Sequence, residues 1–244
     1  MRMKKWLLIA CTAAVVLWGC GGQGNEDWES IDVQIRMIAA QRDVWKDSVE
    51  KFGYENYAVT DMNGNGRLEL ITAMNGGTGR YTYSEICEVN ETFDGLIPYK
   101  IVQDLADDSE PDIITSPVPV YYDSENKRYY YVFHDYTRLG IEGHTDMLYG
   151  YWLEDGEVRT KVIAYYSQIY DRKTDRIIRT YKDAEDNEIS EEAYNQAEAE
   201  AFSDMEKRSG SIGWKVFEEE TDISSAPAKV LEDMFLNSWE EFKQ

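Results

Sequence analysis

From residue 118 onward the chain repeats one pattern: two extended runs separated by a short polar turn. Val118 to Tyr122 and Tyr129 to His134 flank Asp123-Ser124-Glu125-Asn126. Met147 to Glu154 and Val158 to Tyr166 flank Asp155-Gly156, and Ser167 to Tyr170 and Ile177 to Tyr181 flank Arg172-Lys173-Thr174. Residues two apart share one face of a strand, and an Asp-Gly pair supplies the positive φ that a tight hairpin needs. Run, turn and return run, with no helical stretch between them, predicts antiparallel hairpins and excludes alternating βαβ units. Upstream, Tyr57 to Thr60 and Leu68 to Ile71 read as short strands around a loop rich in Asn and Gly. Tyr81 to Asn90 reads as another strand, followed by the turn signal Asp94-Gly95.

The period changes at both ends. Ile31, Ile35, Ile38, Trp45 and Val49 recur at near-helical spacing, which predicts an amphipathic helix from Trp28 to about Phe52. Ser190 caps a second predicted helix running to about Lys207, with Tyr194, Ala197, Ala201 and Met205 on one face and Glu191 and Glu192 at its positive end. Trp214 to Phe217 is a short strand, and Ala228 to Phe242 is a last helix carrying Leu231, Phe235 and Trp239. Residues 104 to 116 read as an acidic loop. The expected fold is α+β, an antiparallel sheet of hairpins with an N-terminal helix and C-terminal helices. No repeat of 20–50 residues marks a solenoid or propeller. No Pro-rich or Ser-rich linker divides residues 28–244, so they read as a single domain.

The first residues carry a different message. Arg2, Lys4 and Lys5 precede an apolar run from Trp6 to Trp18 broken only by Thr12. Cations followed by an apolar segment make a secretion signal, and thirteen residues fall short of the roughly 20 that span a bilayer. Leu17-Trp18-Gly19-Cys20 resembles the lipobox of bacterial lipoproteins, although Trp18 stands where a small or β-branched residue is usual. That resemblance implies a signal peptide over residues 1–19, lipidation of Cys20, and a flexible tether over 20–27 containing Gly21-Gly22-Gln23-Gly24-Asn25. The expected location is extracytoplasmic, anchored to the cell membrane.

Charge narrows the partners. The whole chain has 25 basic and 47 acidic residues, a formal charge of −22. Three of the basic residues and none of the acidic ones lie in residues 1–19, so the remainder carries −25. Such a chain is repelled by nucleic acid and by anionic head groups and favours cations. Aromatic residues at 13% argue for a packed core despite the low mean hydropathy. Cys11 and Cys20 belong to the N-terminal segment. Cys87 is then alone; its neighbours Ile86 and Val89 point to a buried strand thiol, and the acidic Glu85 and Glu88 are the opposite of the cationic setting a nucleophilic thiolate wants.

The sharpest internal motif is Asp61-Met62-Asn63-Gly64-Asn65-Gly66-Arg67-Leu68-Glu69. Oxygen side chains at positions 1, 3, 5 and 9, with Gly at 6 and the Arg67 carbonyl at 7, match what Ca²⁺ asks of a loop: six to eight oxygens around a sharp turn. An EF-hand would place Glu at position 12, where Thr72 stands, and would need helices on both sides. The competing reading is a tight hairpin turn held by side-chain bonds of Asp and Asn. With strands as its flanks, the loop resembles the calcium loops of FG-GAP-type repeats, present here once. Taken with the Trp-containing helix, the Tyr-rich hairpins, "ISEEAYN" and the aromatic C-terminal helix, "YAVTDMNGNGRLELI" resembles uncharacterised cell-surface lipoproteins of Gram-positive bacteria. That resemblance implies a location and an ion, but no reaction.

Two further features have plain packing as the competing reading. Tyr129, Tyr131 and Phe133 share one strand face, with Tyr149, Tyr151, Trp152, Tyr165 and Tyr166 in the next hairpin; an exposed set would stack on sugars, whereas core packing is the ordinary use of such residues. His134 and His144 stand in no nucleophile or metal motif. The Asp183–Glu188 cluster reads as a solvated turn before the Ser190 cap. The expected function is a lipid-anchored binding or interaction protein with a weak structural calcium loop. A carbohydrate or peptide receptor using an aromatic sheet face, or a hydrolase with an acidic site, are the alternatives.

Overall fold

The structure, a computed structural model, describes residues 29–76, 81–101, 110–218 and 222–244. The signal segment 1–19, Cys20, the tether 20–27, Trp28 and residues 104–109 of the acidic loop lie outside the described residues.

Helix α1 (Ile31–Ala40) leads through a 3₁₀ turn (Arg42–Val44) into the short α2 (Lys46–Glu50). Strands β1 (Asn56–Thr60), β2 (Glu69–Gly76) and β3 (Tyr81–Val89) follow, then the short β4 (Leu96–Pro98), β5 (Lys100–Ile101) and β6 (Glu110–Pro111). The long hairpins are β7 (Val118–Asp123), β8 (Arg128–Arg138), β9 (Gly143–Glu154), β10 (Glu157–Asp171) and β11 (Arg176–Asp183). Helix α3 (Glu191–Ala201), β12 (Glu206–Gly210), β13 (Lys215–Val216) and α4 (Ala228–Trp239) complete the chain. The described residues are mostly β, 45% strand and 21% helical, with antiparallel sheets and four helices among them.

The expectation of one sheet gives way to two among the described residues. The first has the order β13-β1-β2-β3-β4 with β6 also on β3; the second runs β11-β10-β9-β8-β7-β12, with β5 parallel to β10. Strand alternation explains how they stack. On β1, Tyr57 and Val59 join Leu70, Cys87 and Val89 in a core closed by α1 and α4, while Ala58 joins Ile71 and Ile86 on the opposite face. That second face meets Tyr131, Phe133, Tyr151 and Leu153 of the second sheet. The outer side of the second sheet packs Tyr121, Val132, Leu148 and Ile163 with Phe202, beyond the end of α3. The layers are therefore helices, sheet, sheet and helix, and both faces of each sheet are used.

The last helix ends at Trp239, one turn short of the expected Phe242, and two others stop well before their periodicity predicts. The first breaks at Gln41, which turns its side chain to the 90–96 turn: Nε2 donates to the Asp94 carbonyl at 3.0 Å and Oε1 accepts from the Leu96 amide at 3.1 Å. Trp45 then folds back and donates from Nε1 to the Ile38 carbonyl at 3.0 Å. The Ser190 helix ends at Ala201, not Lys207. Phe202 stacks on Tyr121 with ring centroids 4.5 Å apart, and residues 206–210 pair with β7 as an edge strand. A core contact outweighs propensity in both cases.

Ser238 ties α4 to the first sheet. Its buried hydroxyl accepts from the Val59 amide at 2.9 Å and donates to the Gly213 carbonyl at 2.7 Å. Ser238→Ala leaves both groups buried without a partner, so urea unfolding should show a loss of about 2–4 kcal/mol. A loss below about 0.5 kcal/mol would mean that water replaces the hydroxyl.

Candidate functional site

The loop between β1 and β2 holds the residues singled out by sequence, and the structure does bring them together. Gly64 and Gly66 both have positive φ, 70° and 82°. Gly64 has a second reason to lack a side chain, since a Cβ there would lie 2.6 Å from the Tyr129 ring. Between these glycines the chain curls around the Asp61 carboxylate. The Asn65 amide donates to Asp61 Oδ1 at 2.9 Å and the Gly66 amide to Oδ2 at 3.1 Å. Asn63 Oδ1 also accepts from the Asn65 amide at 3.0 Å, and Asn65 Oδ1 accepts from the Arg67 amide at 2.7 Å.

Residues distant in sequence hold this loop in place. Gln34 of α1, fully buried, donates to the Gly66 carbonyl at 2.9 Å and accepts from the Leu68 amide at 2.8 Å. Met62 inserts into the core between the sheets, and its carbonyl accepts from the Tyr131 hydroxyl at 3.3 Å. Gln244 donates to the Asp61 carbonyl and, at 3.2 Å, to the Tyr131 hydroxyl. Glu88 of β3 faces the outer side of the loop, accepting from Asn63, Asn65, Arg67 and Tyr99. None of Gln34, Glu88, Tyr99 and Gln244 is evident from the loop motif. Glu88 lies directly opposite Glu69 in the β2–β3 register, a juxtaposition that becomes visible only once that register is known.

Glu69 is the unusual group. It has no exposed surface, and its Oε2 accepts from the Met62 amide at 2.9 Å and the Thr60 hydroxyl at 2.8 Å. Its Oε1 is buried without a hydrogen-bond partner. Burial, then the nearby Asp61 charge, pushes its pKa up to about 8. Burial also raises Asp61, against the lowering pull of the Gly66, Asn65 and Gly64 amides. Two desolvated carboxylates thus share one loop with one oxygen unsatisfied.

No cluster of three or more His, Cys, Asp and Glu fit to hold a metal occurs among the described residues. The donors gathered here are two carboxylates and two amide oxygens on a loop that also contains the Arg67 carbonyl. Oxygen donors of this kind suit a hard cation, and the orphaned Glu69 oxygen fits one. Beside the loop a cleft of about 740 Å³ is lined in part by Asn63, Asn65, Arg67, Glu88, Tyr99 and Arg128, but not by Asp61 or Glu69.

The other candidate residues lie elsewhere. Tyr131, Tyr149 and Tyr151 are no more than 1% exposed, so the aromatic face is core and not a platform. Cys87 is buried among Leu70, Val89 and their neighbours, and burial pushes its thiol up to about 12. His134 Nδ1 lies 3.0 Å from Asp146, whose hydrogen bond raises the imidazole against the effect of burial. His144 stacks on Tyr136. Compared with protein-family models, curated proteins and solved structures, the chain finds no match.

The raised Glu69 pKa predicts a pH dependence for the metal-free protein. Between its ordinary 4.5 and about 8, the folded chain binds the proton more tightly than the unfolded chain does. Stability therefore falls as pH rises through that window, with a slope approaching roughly 1.4 kcal/mol per pH unit. Urea titrations in chelator should show this slope reduced in Glu69→Gln, which keeps an acceptor for Met62 and Thr60. Equal slopes in the two proteins would refute the assignment.

Proposed function

We propose that this chain is a lipid-anchored extracytoplasmic binding and interaction protein, held at the membrane through Cys20, whose 61–69 loop takes up Ca²⁺. The ligands are Asp61, Asn63, Asn65, the Arg67 carbonyl and Glu69. When bound, the ion would supply positive charge between the buried Glu69 and the half-buried Asp61 carboxylates and stiffen the loop where it meets the second sheet. The observation that carries the calcium reading is the buried, unpartnered Glu69 Oε1 beside Asp61. Leaving such an oxygen unsatisfied costs about 1–3 kcal/mol or more, and a cation removes that penalty.

The membrane location rests on the order of residues 1–20: cations, a thirteen-residue apolar run, then Gly19-Cys20. Among the described residues no helix is long and apolar enough to cross a membrane. The receptor alternative loses its main support, because Tyr131 and Tyr151 are buried. The hydrolase alternative would draw on a desolvated carboxylate pair, but Asp61 and Glu69 are not on the walls of the neighbouring cleft. Their position favours an ion over a substrate.

With only two charged ligands, the expected dissociation constant is roughly 10⁻⁴–10⁻³ M, and Mg²⁺, which needs a tighter octahedral shell, competes poorly. At about 2 mM Ca²⁺ and a dissociation constant near 0.2 mM, linkage gives about 1.4 kcal/mol. For a domain of this size the melting temperature should rise by roughly 3–5 °C over chelator. Asp61→Ala should abolish the rise and Asp183→Ala should retain it. No calorimetric binding and an unchanged melting temperature would leave the loop as a hairpin turn.

The anchor is tested separately. Mass spectrometry of the membrane-extracted protein should find two ester-linked acyl chains on Cys20, since two chains suffice for stable attachment. Cys20→Ala should block both lipidation and processing. Wild-type protein free in the medium with an unmodified N-terminus would refute the anchoring.

A further inference from the structure

The outer side of the loop is governed by one carboxylate that the D-x-N-G-N-G motif does not contain. Glu88 Oε1 accepts from Asn63 Nδ2 at 2.8 Å, from Asn65 Nδ2 at 2.7 Å and from the Tyr99 hydroxyl at 3.2 Å. Its other oxygen, Oε2, is held by Arg67 Nη2 at 2.8 Å. Tyr99 closes the network by accepting from Asn63 Nδ2 at 3.0 Å. Glu88 is 5% exposed, so water does not compete freely for these contacts.

A side-chain amide is nearly symmetric in shape but not in chemistry: one edge donates and the other accepts. A cation needs the oxygen edge, and an amide turned the wrong way presents an NH₂ group to the ion. An ionised carboxylate only accepts. If either asparagine flipped, its oxygen would face Glu88 Oε1 at 2.7–2.8 Å, acceptor against acceptor. The NH₂ edges must therefore face Glu88. Consistent with this, both Oδ1 atoms point back to the loop, where they accept from the Asn65 and Arg67 amides.

We infer that Glu88 is a positioning residue of the cation loop: by taking the NH₂ edges of Asn63 and Asn65, it turns both amide oxygens toward the ion. This inference rests on the calcium reading above. It also explains why positions 3 and 5 of the loop are Asn. A carboxylate at either would stand against Glu88 Oε1, and the added repulsion would offset the added attraction for the cation. The third acidic group of the site therefore acts from outside the ligand set, with Arg67 holding its far oxygen.

The test is a calcium titration by calorimetry on four proteins: wild type, Glu88→Gln, Asn63→Asp/Asn65→Asp, and the triple variant combining all three changes. Losing a group that orients metal ligands costs about 10–100-fold in affinity, and Glu88→Gln should weaken Ca²⁺ by that amount. Asn63→Asp/Asn65→Asp should bind no more than about threefold tighter than wild type, despite its two extra carboxylates. The triple variant should bind at least about tenfold tighter than Glu88→Gln, because carboxylate ligands need no amide orientation. A merely structural Glu88 would weaken both backgrounds alike, so rescue by the Asp pair separates the two roles.

Glu88→Gln binding within about twofold of wild type would overturn the inference, as would a triple variant no tighter than Glu88→Gln. If Glu88→Gln does not fold, Asn63→Asp/Asn65→Asp alone decides: a gain of tenfold or more over wild type overturns the inference. If wild type itself binds no Ca²⁺, the calcium reading fails and this inference fails with it.

Discussion

Met62 belongs to both the loop and the core. Its backbone amide donates to Glu69, its carbonyl accepts from Tyr131, and its side chain sits between the sheets with Ala58, Ile71, Ile86 and Phe133. Core packing is dense enough that a side chain so placed cannot shift far without opening a void. The loop is therefore fixed where it meets the second sheet, though its tip is exposed. Gln34 performs the same task from the helix side, bonding the Gly66 carbonyl and the Leu68 amide. The exposed loop inherits the rigidity of two cores, which holds its oxygen-bearing side chains in fixed positions.

That rigidity concentrates negative charge. Glu69 and Glu88 are direct cross-strand partners, and Asp61 lies close enough to raise Glu69. Like charges so placed repel each other unless donors compensate them. Glu88 is compensated by two amides, a tyrosine hydroxyl and a guanidinium, and Asp61 by backbone amides of the loop. Glu69 receives two donors on one oxygen and none on the other. A proton or a cation can fill the remaining place, so the metal-free loop holds its proton well above the usual carboxylate range. The same imbalance is the ground for both the expected pH response of the metal-free fold and the proposed uptake of an ion.

Local periodicities made the hairpins legible, and the Asp, Asn and Gly spacing made the 61–69 turn legible, because such residues act on their immediate backbone neighbours. Features set by distant contacts were not legible. The Gln41 break depends on the 90–96 turn, and the early end of the Ser190 helix depends on Phe202 meeting Tyr121. Alternation on the hairpins shows that Tyr131 and Phe133 share a face but not what covers it; a second sheet does, and on the far side Phe202 and α3 cover the other face. Glu88 belongs to β3 and Tyr99 to the link between β4 and β5, and their placement against the loop emerges only on folding. Cys87 was readable from its apolar neighbours and its acidic flanks, which argue against a thiolate.

The overall charge of the chain is a poor guide to how the loop would hold an ion. Charges more than about 8–10 Å away across solvent are largely screened at physiological ionic strength. Most of the 47 acidic residues therefore contribute little at the loop. The charges at the loop include Asp61, Glu69 and Glu88, the guanidinium of Arg67 bound to Glu88 at 2.8 Å, and Glu91 at 3.8 Å from that guanidinium. Arg67 thus has opposite effects through two parts of one residue. On the proposed calcium reading its carbonyl is a ligand, while its side chain would cancel part of the field that attracts the ion. Removing that guanidinium would strengthen the local field but would leave Glu88 Oε2 without its donor in a nearly buried position. The loop therefore combines a fixed geometry with a modest net charge, a combination suited to a cation present at millimolar concentration.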